Sequence, residues 1–277
     1  MRATLLSLSL PLALLACQDY RLKGAPDDPV DDVDSDTAPV DTYVEDTEPQ
    51  DSPPEDTGEV VIPDTGEVAT ESVYLNTSST LFSYDPGTNT ATQIGRFSMG
   101  GRDVTDMTDI AIDLSGHMFG VTFSTLYQIN PSTAAVTMVA PVSDDLTGLT
   151  FVSDGRLVGT GSRVSFVDTS TGALTQLVAS GRYTTSGDII GLPDGMLYWT
   201  VEGGDDLVQV DPNSGATVNI GNIGVSALYG LGYADGVLLG FTSGGRVVDI
   251  DAATARNSNG RTLSGSWWGA TTNPVLW

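Results

Sequence analysis

A phrase of about fifteen residues recurs along the chain at intervals of about forty residues. Each copy alternates apolar and polar residues, reaches an Asp or Asn, and then passes through a short turn into a second extended stretch. The clearest copy is LVQVDPNSGATVNIG, at residues 207–221. The turn residue stands at five places, Asp85, Asn130, Asp168, Asp211 and Asp251. A chain that repeats a unit of this length folds into repeated structural units, so this feature constrains the fold more than any other.

Each copy of the phrase predicts a β-hairpin. Alternation of apolar and polar residues is typical of a strand with one buried face. The oxygen of the turn Asp accepts N–H bonds across the turn, a following Pro presets φ, and a Gly four residues on can take positive φ. A second hairpin precedes the phrase, with turns at Asp113–Gly116, Ser153–Gly155, Pro193–Gly195 and Asp235–Gly236 in successive repeats.

Two hairpins give four strands per repeat of about forty residues, which is the period of a β-propeller blade. The first repeat lacks an opening strand and begins at Val73. The C-terminal stretch 267–270 matches the opening strands at 146–149 and 228–231. We therefore expect the C-terminal strand to complete the first blade and close the ring. The sequence predicts an all-β, five-bladed propeller of four-stranded antiparallel blades over residues 73–277, with six blades as the alternative.

The phrase resembles the blades of YVTN, NHL and quinoprotein-type propellers, and the resemblance covers residues 73–277. It implies the propeller fold, but these families share no single function. Quinoprotein blades carry a docking Trp shortly after an Asp-x-x-Thr-Gly turn. In this chain Asp168–Gly172 is followed by Ala-Leu-Thr-Gln, and this departure argues against a quinone cofactor.

The N-terminus, MRATLLSLSLPLALLAC, is typical of an export signal, with Arg2 ahead of an apolar run over residues 5–16. Twelve residues are too few to cross a bilayer core of roughly 30 Å. The stretch Leu14-Leu15-Ala16-Cys17 resembles the lipobox of bacterial lipoproteins, which implies cleavage at Cys17 and lipidation of its thiol. An ordinary secretory signal with a chance cysteine is the alternative. Gln18 after the cysteine favours the outer membrane over inner-membrane retention.

The stretch from residue 18 to residue 72 is rich in Asp, Pro and Thr and carries 18 acidic residues against Arg21 and Lys23. It lacks the large apolar residues that a folded core needs, and it predicts a disordered tether. Ca²⁺ binding by this acidic run is the alternative. We therefore expect three segments: a signal peptide at 1–16, lipidated Cys17 with its linker at 17–72, and the propeller at 73–277.

Charge and rare residues exclude several functions. The formal charge of −25 excludes nucleic acid as a partner, because binding phosphates requires Lys and Arg. A single cysteine and a single histidine allow neither an internal disulfide nor a Cys/His zinc site. A Ser-His-Asp hydrolase would need His117 as its base. His117 follows a turn at a position where other repeats have Arg, Met and Val, so we expect a surface strand residue there.

Two aspartates are candidates for a metal site. Asp109 and Asp188 precede the apolar residue of an innermost strand, where the other repeats have Gly148, Gly230 and Gly269. Carboxylates at this position can point into the central channel and hold a cation, and oxygen ligands suit Ca²⁺. Alternatively, the position requires a small residue or a local cap.

The loops that enter the inner strands, and the loops between second and third strands, are expected to share one rim. Loops on a rigid scaffold are the usual location of binding residues. The rim candidates are Arg102, Asp103, Asp106, Asp144, Asp145, Arg182, Tyr183, Asp205 and Asp206. Such a rim can hold a cation, a sugar or a basic protein segment, or it can be solvated surface.

Two classes of function follow from these patterns. The first is a non-catalytic binding or protein-interaction module on a lipid anchor in the cell envelope, monomeric, with an unknown protein or glycan partner. The second is a carboxylate-based hydrolase or lactonase acting on saccharides, with Ca²⁺ as a possible requirement. Its only candidate general acid is Glu202, because residues 73–277 contain no other glutamate. No cofactor other than Ca²⁺ is expected.

Overall fold

The computed structural model describes residues 67–202 and 205–277. The signal peptide at 1–16, the lipobox cysteine and the linker up to residue 66 lie outside the described residues. Within them are 22 strands and one short 3-10 helix, Pro274–Leu276. This part of the chain is therefore all-β, as the repeat predicts.

Twenty of these strands form five four-stranded antiparallel sheets, which are the blades of a propeller. Blade 1 consists of Gly269–Thr272, Val73–Asn76, Thr80–Asp85 and Thr90–Arg96, from the inside outward. Blade 2 consists of Met107–Ile112, Met118–Thr122, Thr125–Ile129 and Val136–Pro141. Blade 3 consists of Gly148–Phe151, Leu157–Thr160, Val164–Val167 and Leu174–Val178. Blade 4 consists of Thr185–Gly191, Leu197–Val201, Asp206–Val210 and Thr217–Asn222, and blade 5 of Leu228–Ala234, Val237–Thr242, Arg246–Ile250 and Asn257–Thr262.

The ring closes through the C-terminal strand. Val73 pairs with Thr272 and Asn76 pairs with Gly269, so the last strand is the innermost strand of blade 1. The five innermost strands contact one another in sequence around the axis. Closure and the count of five blades are confirmed, and the six-bladed alternative is wrong. The two remaining strands, Ser98–Met99 and Arg102–Asp103, form a ribbon between blades 1 and 2.

The turn of the repeated phrase has the same geometry in all five blades. In blade 3, Oδ1 of Asp168 accepts N–H bonds from Ser170 at 2.9 Å and Thr171 at 2.8 Å. The residue four positions after the Asp or Asn has positive φ in every blade. These residues are Asn89 at 53°, Ala134 at 60°, Gly172 at 68°, Gly215 at 69° and Ala255 at 58°. The expected positive φ is confirmed, although only two blades use Gly for it.

Each of these turns packs against the outer strand of the preceding blade, and the sizes of the facing residues are matched. A Cβ on Gly172 would lie 2.5 Å from the carbonyl oxygen of Pro141 and 3.1 Å from Cβ of Ala140. At the joint between blades 1 and 2 the sizes are reversed. There, Ala134 stands at the turn and Gly95 on the facing strand, where a Cβ would lie 3.3 Å from that of Ala134. At both of these contacts between blades, a glycine on one side therefore makes room for an alanine on the other.

Apolar side chains fill the spaces between neighbouring blades. Trp199 is buried between blades 3 and 4. Trp267 is also buried and packs edge-to-face on Phe82, with ring centroids 5.3 Å apart. The match of 267–270 to the other opening strands predicts that Trp267 and Trp268 lie on a strand, and this is wrong, because the strand begins at Gly269. Pairing ends there because the partner strand ends at Asn76 and the chain turns away into a loop.

Candidate functional site

The innermost strands present an edge without a partner strand to the axis of the ring. A buried edge of this kind leaves backbone N–H groups that need acceptors. One equivalent residue on each inner strand faces the axis, and we call these the axial positions. They are Asp109, Gly148, Asp188, Gly230 and Gly269.

Asp109 joins blade 2 to blade 3. Its Oδ1 accepts the N–H of Ile110 at 2.8 Å, and its Oδ2 accepts the N–H of Leu149 at 2.6 Å. The first donor belongs to the same strand, whereas the second lies on the inner strand of the next blade. One carboxyl group therefore satisfies the N–H groups of two strand edges.

Asp188 joins blade 4 to blade 5 by the same kind of hydrogen bonding. Its Oδ1 accepts the N–H of Ile189 at 2.5 Å, and its Oδ2 accepts the N–H of Leu231. The N–H of Ala270, on the inner strand of blade 1, also lowers the pKa of Asp188. Together the two carboxyl groups accept hydrogen bonds from backbone N–H groups of all five blades, and each of the four carboxyl oxygens accepts at least one.

The surroundings of the two carboxyl groups oppose ionisation of both at once. Both side chains are fully buried, and burial raises the pKa of Asp109, which the charge of Asp188 raises further. Burial also raises the pKa of Asp188 to about 7, although hydrogen bonds, with that from Asp109 the strongest, oppose the rise. We therefore expect Asp109 to be the protonated partner, to donate to Asp188 and to share its proton with it. Above about pH 7 the pair should then carry one negative charge.

Glycine at the other axial positions makes room for the two aspartates. A Cβ on Gly269 would collide with Oδ1 of Asp109 and lie 2.9 Å from its Cα. A Cβ on Gly148 would lie 3.1 Å from Cα of Asp188. The alternation of Asp and Gly in the sequence therefore reflects a limited axial space, and the carboxylates serve there as caps for strand edges.

Below the carboxyl pair, threonines continue the same pattern. Oγ1 of Thr150 accepts the N–H of Gly191 at 2.9 Å, and Oγ1 of Thr272 accepts the N–H of Tyr233 at 2.5 Å. The 3-10 helix Pro274–Leu276 and Trp277 follow at this lower end. The space left there is about 10 Å³, room for one water molecule at most. The channel is thus closed from below.

The upper end of the channel is open. A cavity of about 250 Å³, which we call the funnel, lies there. Its lining consists of the residues that directly precede the axial positions, together with one further serine and one loop phenylalanine. They are Thr108, Thr147, Gly187, Tyr229, Trp268, Ser186 and Phe123. The carboxyl pair lies one residue deeper on the same strands and forms the floor.

Three aromatic side chains from three blades line the funnel. Tyr229 packs directly on the backbone of Gly187: a Cβ added to this glycine would lie 2.8 Å from Cδ1 of Tyr229. The backbone N–H of Trp268 donates to the carbonyl of Asn76 at 2.9 Å. The residue stays half-buried at the mouth, whereas its neighbour Trp267 is buried. Phe123, in the loop between the second and third strands of blade 2, is 43% exposed.

The hydroxyl groups of the funnel differ in their hydrogen bonding. Oγ1 of Thr108 donates toward the carbonyls of Val121 and Leu146, both at 2.9 Å. In contrast, Oγ of Ser186 is buried and has no hydrogen-bond partner among the described residues. A buried hydroxyl without a partner is costly, and it is available to a polar atom of a ligand.

Two of the expected rim residues stand two residues before a threonine of the funnel lining. Asp106 and Asp145 each stand three residues before an axial position, and both are exposed. Asp106 has a φ of 64°. Arg102 and Asp103 lie farther out, on the ribbon, where Arg96 forms an ion pair with Asp103 at 2.6 Å.

The other rim candidates interact with their own neighbours and do not form one cluster. Asp144 accepts a hydrogen bond from Ser162 at 2.8 Å. Asp206 accepts bonds from the amides of Asn219 and Asn222, which lower its pKa.

Asp205 is nearly buried, with a φ of 56°, and its carbonyl accepts the N–H of Ile223 at 3.1 Å. Arg182 lies over the ring of Tyr183 at 5.7 Å, and Tyr183 packs edge-to-face on Trp199. These two rim candidates therefore contact blade 4.

Neither catalytic candidate lies beside the carboxyl pair. Glu202 is exposed in a loop of blade 4, where its N–H donates to Thr184 at 2.8 Å. His117 is half-buried at the opposite end of the propeller, with Nδ1 3.2 Å from Oδ2 of Asp113. Among the described residues no group of three or more His, Cys, Asp or Glu side chains is arranged to hold a metal ion. Nor does any helix in this part of the chain have the length and apolarity to cross a membrane.

None of the funnel residues is among the site candidates that the sequence suggests. Tyr229 and Trp268 occupy the position of Thr147 when the inner strands are aligned, so their size was a signal that this position differs among blades. Phe123 carries no such signal, because the loop between second and third strands varies in every repeat.

Comparisons with known proteins show the fold. No protein-family model matches the chain, and no curated protein matches it. A structure of a nidogen/laminin complex is 12% identical, with a TM-score of 0.54, over 76% of this chain and 84% of that chain. A Bacteroides caccae protein of unknown function is 10% identical, with a TM-score of 0.44, over 70% and 73% of the two chains. The extracellular domain of a putative one-component system from B. thetaiotaomicron is 13% identical, with a TM-score of 0.42, and 28% of that chain is covered.

Proposed function

We propose that the chain is a non-catalytic binding module, held at the bacterial outer membrane by a lipid on Cys17, with the funnel as its binding site. The observation that carries this proposal is the funnel itself, an aromatic cavity of about 250 Å³ at the open end of a channel closed below. Concave apolar sites with a few polar groups are where proteins bind small ligands. The ligand is a small molecule or an exposed group of a larger partner.

The carboxyl groups nearest the funnel support binding over catalysis. All four oxygens of Asp109 and Asp188 accept backbone N–H bonds, and both groups are buried. A general acid or base must reach the atom whose proton it transfers. These two carboxyl groups face each other and the strand edges instead.

The binding site is tested by photocrosslinking in living cells with p-benzoylphenylalanine. The crosslinker replaces Phe123, at the mouth, or Leu114, at the opposite end, which is similarly exposed at 46%. We expect an adduct from position 123 that is absent from position 114 and is lost when Trp268→Ala is added. Equal labelling at both positions, or none at position 123, would contradict the proposal.

The anchor is tested separately. We expect Cys17→Ser to abolish incorporation of labelled palmitate and to move the protein from the membrane fraction to the soluble fraction. Retention in the membrane fraction without the cysteine would overturn the anchor.

The saccharide hydrolase is the alternative function, and it depends on Glu202. Where hydrolysis of a saccharide is detected, Glu202→Gln is expected to abolish it if the alternative holds. Activity that persists in this variant removes the alternative, because no other glutamate exists in residues 73–277.

A further inference from the structure

The walls of the funnel suit a cation better than a neutral or anionic ligand. Phe123, Tyr229 and Trp268 present aromatic rings to one cavity. The face of an aromatic ring is negative, and it attracts cations within about 6 Å of the ring centre, most strongly when water is excluded. No charged side chain lines the cavity walls.

The charged groups nearest the funnel are four aspartates, and none of the four has an ion-pair partner among the described residues, although Arg163 pairs with the neighbouring Asp144 at 3.5 Å. Residues 73–277 contain 18 acidic residues, eight arginines and no lysine. Asp106 and Asp145 are exposed and stand two residues before Thr108 and Thr147 of the lining. At the floor, Asp109 and Asp188 hydrogen-bond to backbone N–H groups, and among the described residues no arginine pairs with either one. Negative potential of this kind is focused by a cleft with apolar walls.

The arrangement favours an organic cation over a metal ion. Ca²⁺ requires six to eight oxygen ligands, and the funnel walls offer hydroxyl groups but no carboxylate. A methylated ammonium group is larger, holds its water weakly and contacts rings through its methyl groups. The partnerless Oγ of Ser186 can bond a hydroxyl or carbonyl oxygen attached to such a group.

We infer that the funnel binds a quaternary or methylated ammonium group, enclosed by Phe123, Tyr229 and Trp268 above the carboxyl floor. This inference rests on the proposed function, since it names the class of ligand for the same site. The cavity is smaller than the roughly 300 Å³ at which drug-sized sites begin, so it admits a head group while the rest of the ligand extends into solvent.

The test compares choline with 3,3-dimethylbutan-1-ol, its uncharged isostere, by calorimetric titration of the full chain in a non-ionic detergent. The two probes have the same shape and the same hydroxyl, and they differ only in charge. We expect choline to bind at least about tenfold more tightly than the isostere. Trp268→Ala should weaken choline binding by a similar factor, whereas Trp277→Ala, at the opposite end and 44% exposed, should leave it unchanged.

Three outcomes would overturn the inference. Equal affinity for the two probes would mean that the funnel binds by shape and apolarity, and the proposed function would stand without a cation. Choline binding that survives Trp268→Ala would place the cation elsewhere. Absence of choline binding, together with a crosslinked adduct at position 123, would exclude the ammonium class alone; absence of both would exclude the binding function as well.

Discussion

The outer turns and the inner strands of this propeller come from the same repeat, yet they differ in how far the five copies agree. At the outer turns every blade uses an Asp or Asn to bind backbone N–H groups, and every blade has positive φ four residues later. At the axial positions two blades have Asp and three have Gly. One position further up, the residues range from Gly187 to Trp268.

The difference follows from the space available at each place. Each outer turn has its own joint with the preceding blade, so five copies can repeat one solution. All five inner strands share a single axis. Five aspartates there would collide and repel one another, whereas five glycines would leave buried N–H groups unpaired. Two aspartates with three glycines avoid the collision and still provide acceptors for the buried N–H groups. The five blades therefore cannot all carry the same residue at the axial position.

The largest loss of stability is expected when both axial aspartates are replaced, so that all five axial positions hold glycine. In Asp109→Gly/Asp188→Gly, the five backbone N–H groups that bond to these carboxylates lose that acceptor, which should reduce the free energy of unfolding by roughly 3–6 kcal/mol. Urea unfolding followed by tryptophan fluorescence measures the loss. The control is Asp145→Gly on the exposed rim, expected to cost about 1 kcal/mol or less. A double variant no less stable than this control would show that the carboxyl pair is not needed as a cap.

The second prediction concerns pH. The pKa of Asp188 is raised from 3.8 to about 7 in the folded chain, so its contribution to stability is complete below pH 3.8 and is lost as pH rises toward 7. Stability should fall by roughly 2–4 kcal/mol across that range. Asp85, Asp168 and Asp211, whose pKa values are lowered, act in the opposite direction and only below about pH 4.

Urea unfolding at a series of pH values measures this effect. Asp188→Asn should abolish the part of the decline between pH 4 and 7 that Asp188 contributes, whereas the part from Asp109, whose pKa burial also raises, should remain. The variant should also lower stability overall, because its amide group faces a backbone N–H. A wild-type chain whose stability rises steadily from pH 4 to pH 7 would contradict the raised pKa.

The third prediction concerns a single outer joint. Gly172→Ala places a Cβ 2.5 Å from the carbonyl oxygen of Pro141 at a positive φ, and should cost about 2 kcal/mol. Ala140→Gly in the same chain should recover part of this loss, because it reproduces the pairing of Ala134 with Gly95. A double-mutant cycle with no coupling between the two sites would show that the joints are not matched pairs.

The smallest effect is expected from calcium. The four oxygens of Asp109 and Asp188 already accept N–H groups, whose positive ends would face any metal ion between them. The melting temperature in EDTA and in millimolar Ca²⁺ should therefore be the same. A clear rise with Ca²⁺ would support a metal at this pair, since a ligand bound only to the folded state stabilises by about 2.7 kcal/mol at a hundred times its Kd.

The fold could be predicted from the sequence because its cause is local and repeated. Alternation, turn residues and the match of 267–270 to the other inner strands determine the blades and their closure. The axial positions of Asp109 and Asp188 were also visible, since alignment of the repeats placed them opposite glycines. Their hydrogen bonds were not visible, because Leu149 and Leu231 become donors only when the ring brings neighbouring blades together. The exposure of Trp268 depends similarly on where one strand pairing ends.

The shared proton of Asp109 and Asp188 is the central claim, and carbon-13 NMR of the aspartate carboxyl groups tests it most directly. The full chain, labelled at aspartate, is titrated from pH 3 to pH 9, and Asp188→Asn assigns the resonances. We expect two coupled carboxyl resonances, one with an apparent pKa near 7 and one that stays protonated to higher pH. Two axial carboxyl groups that both ionise near pH 4 or below would contradict the shared proton and the single charge assigned to the floor of the funnel.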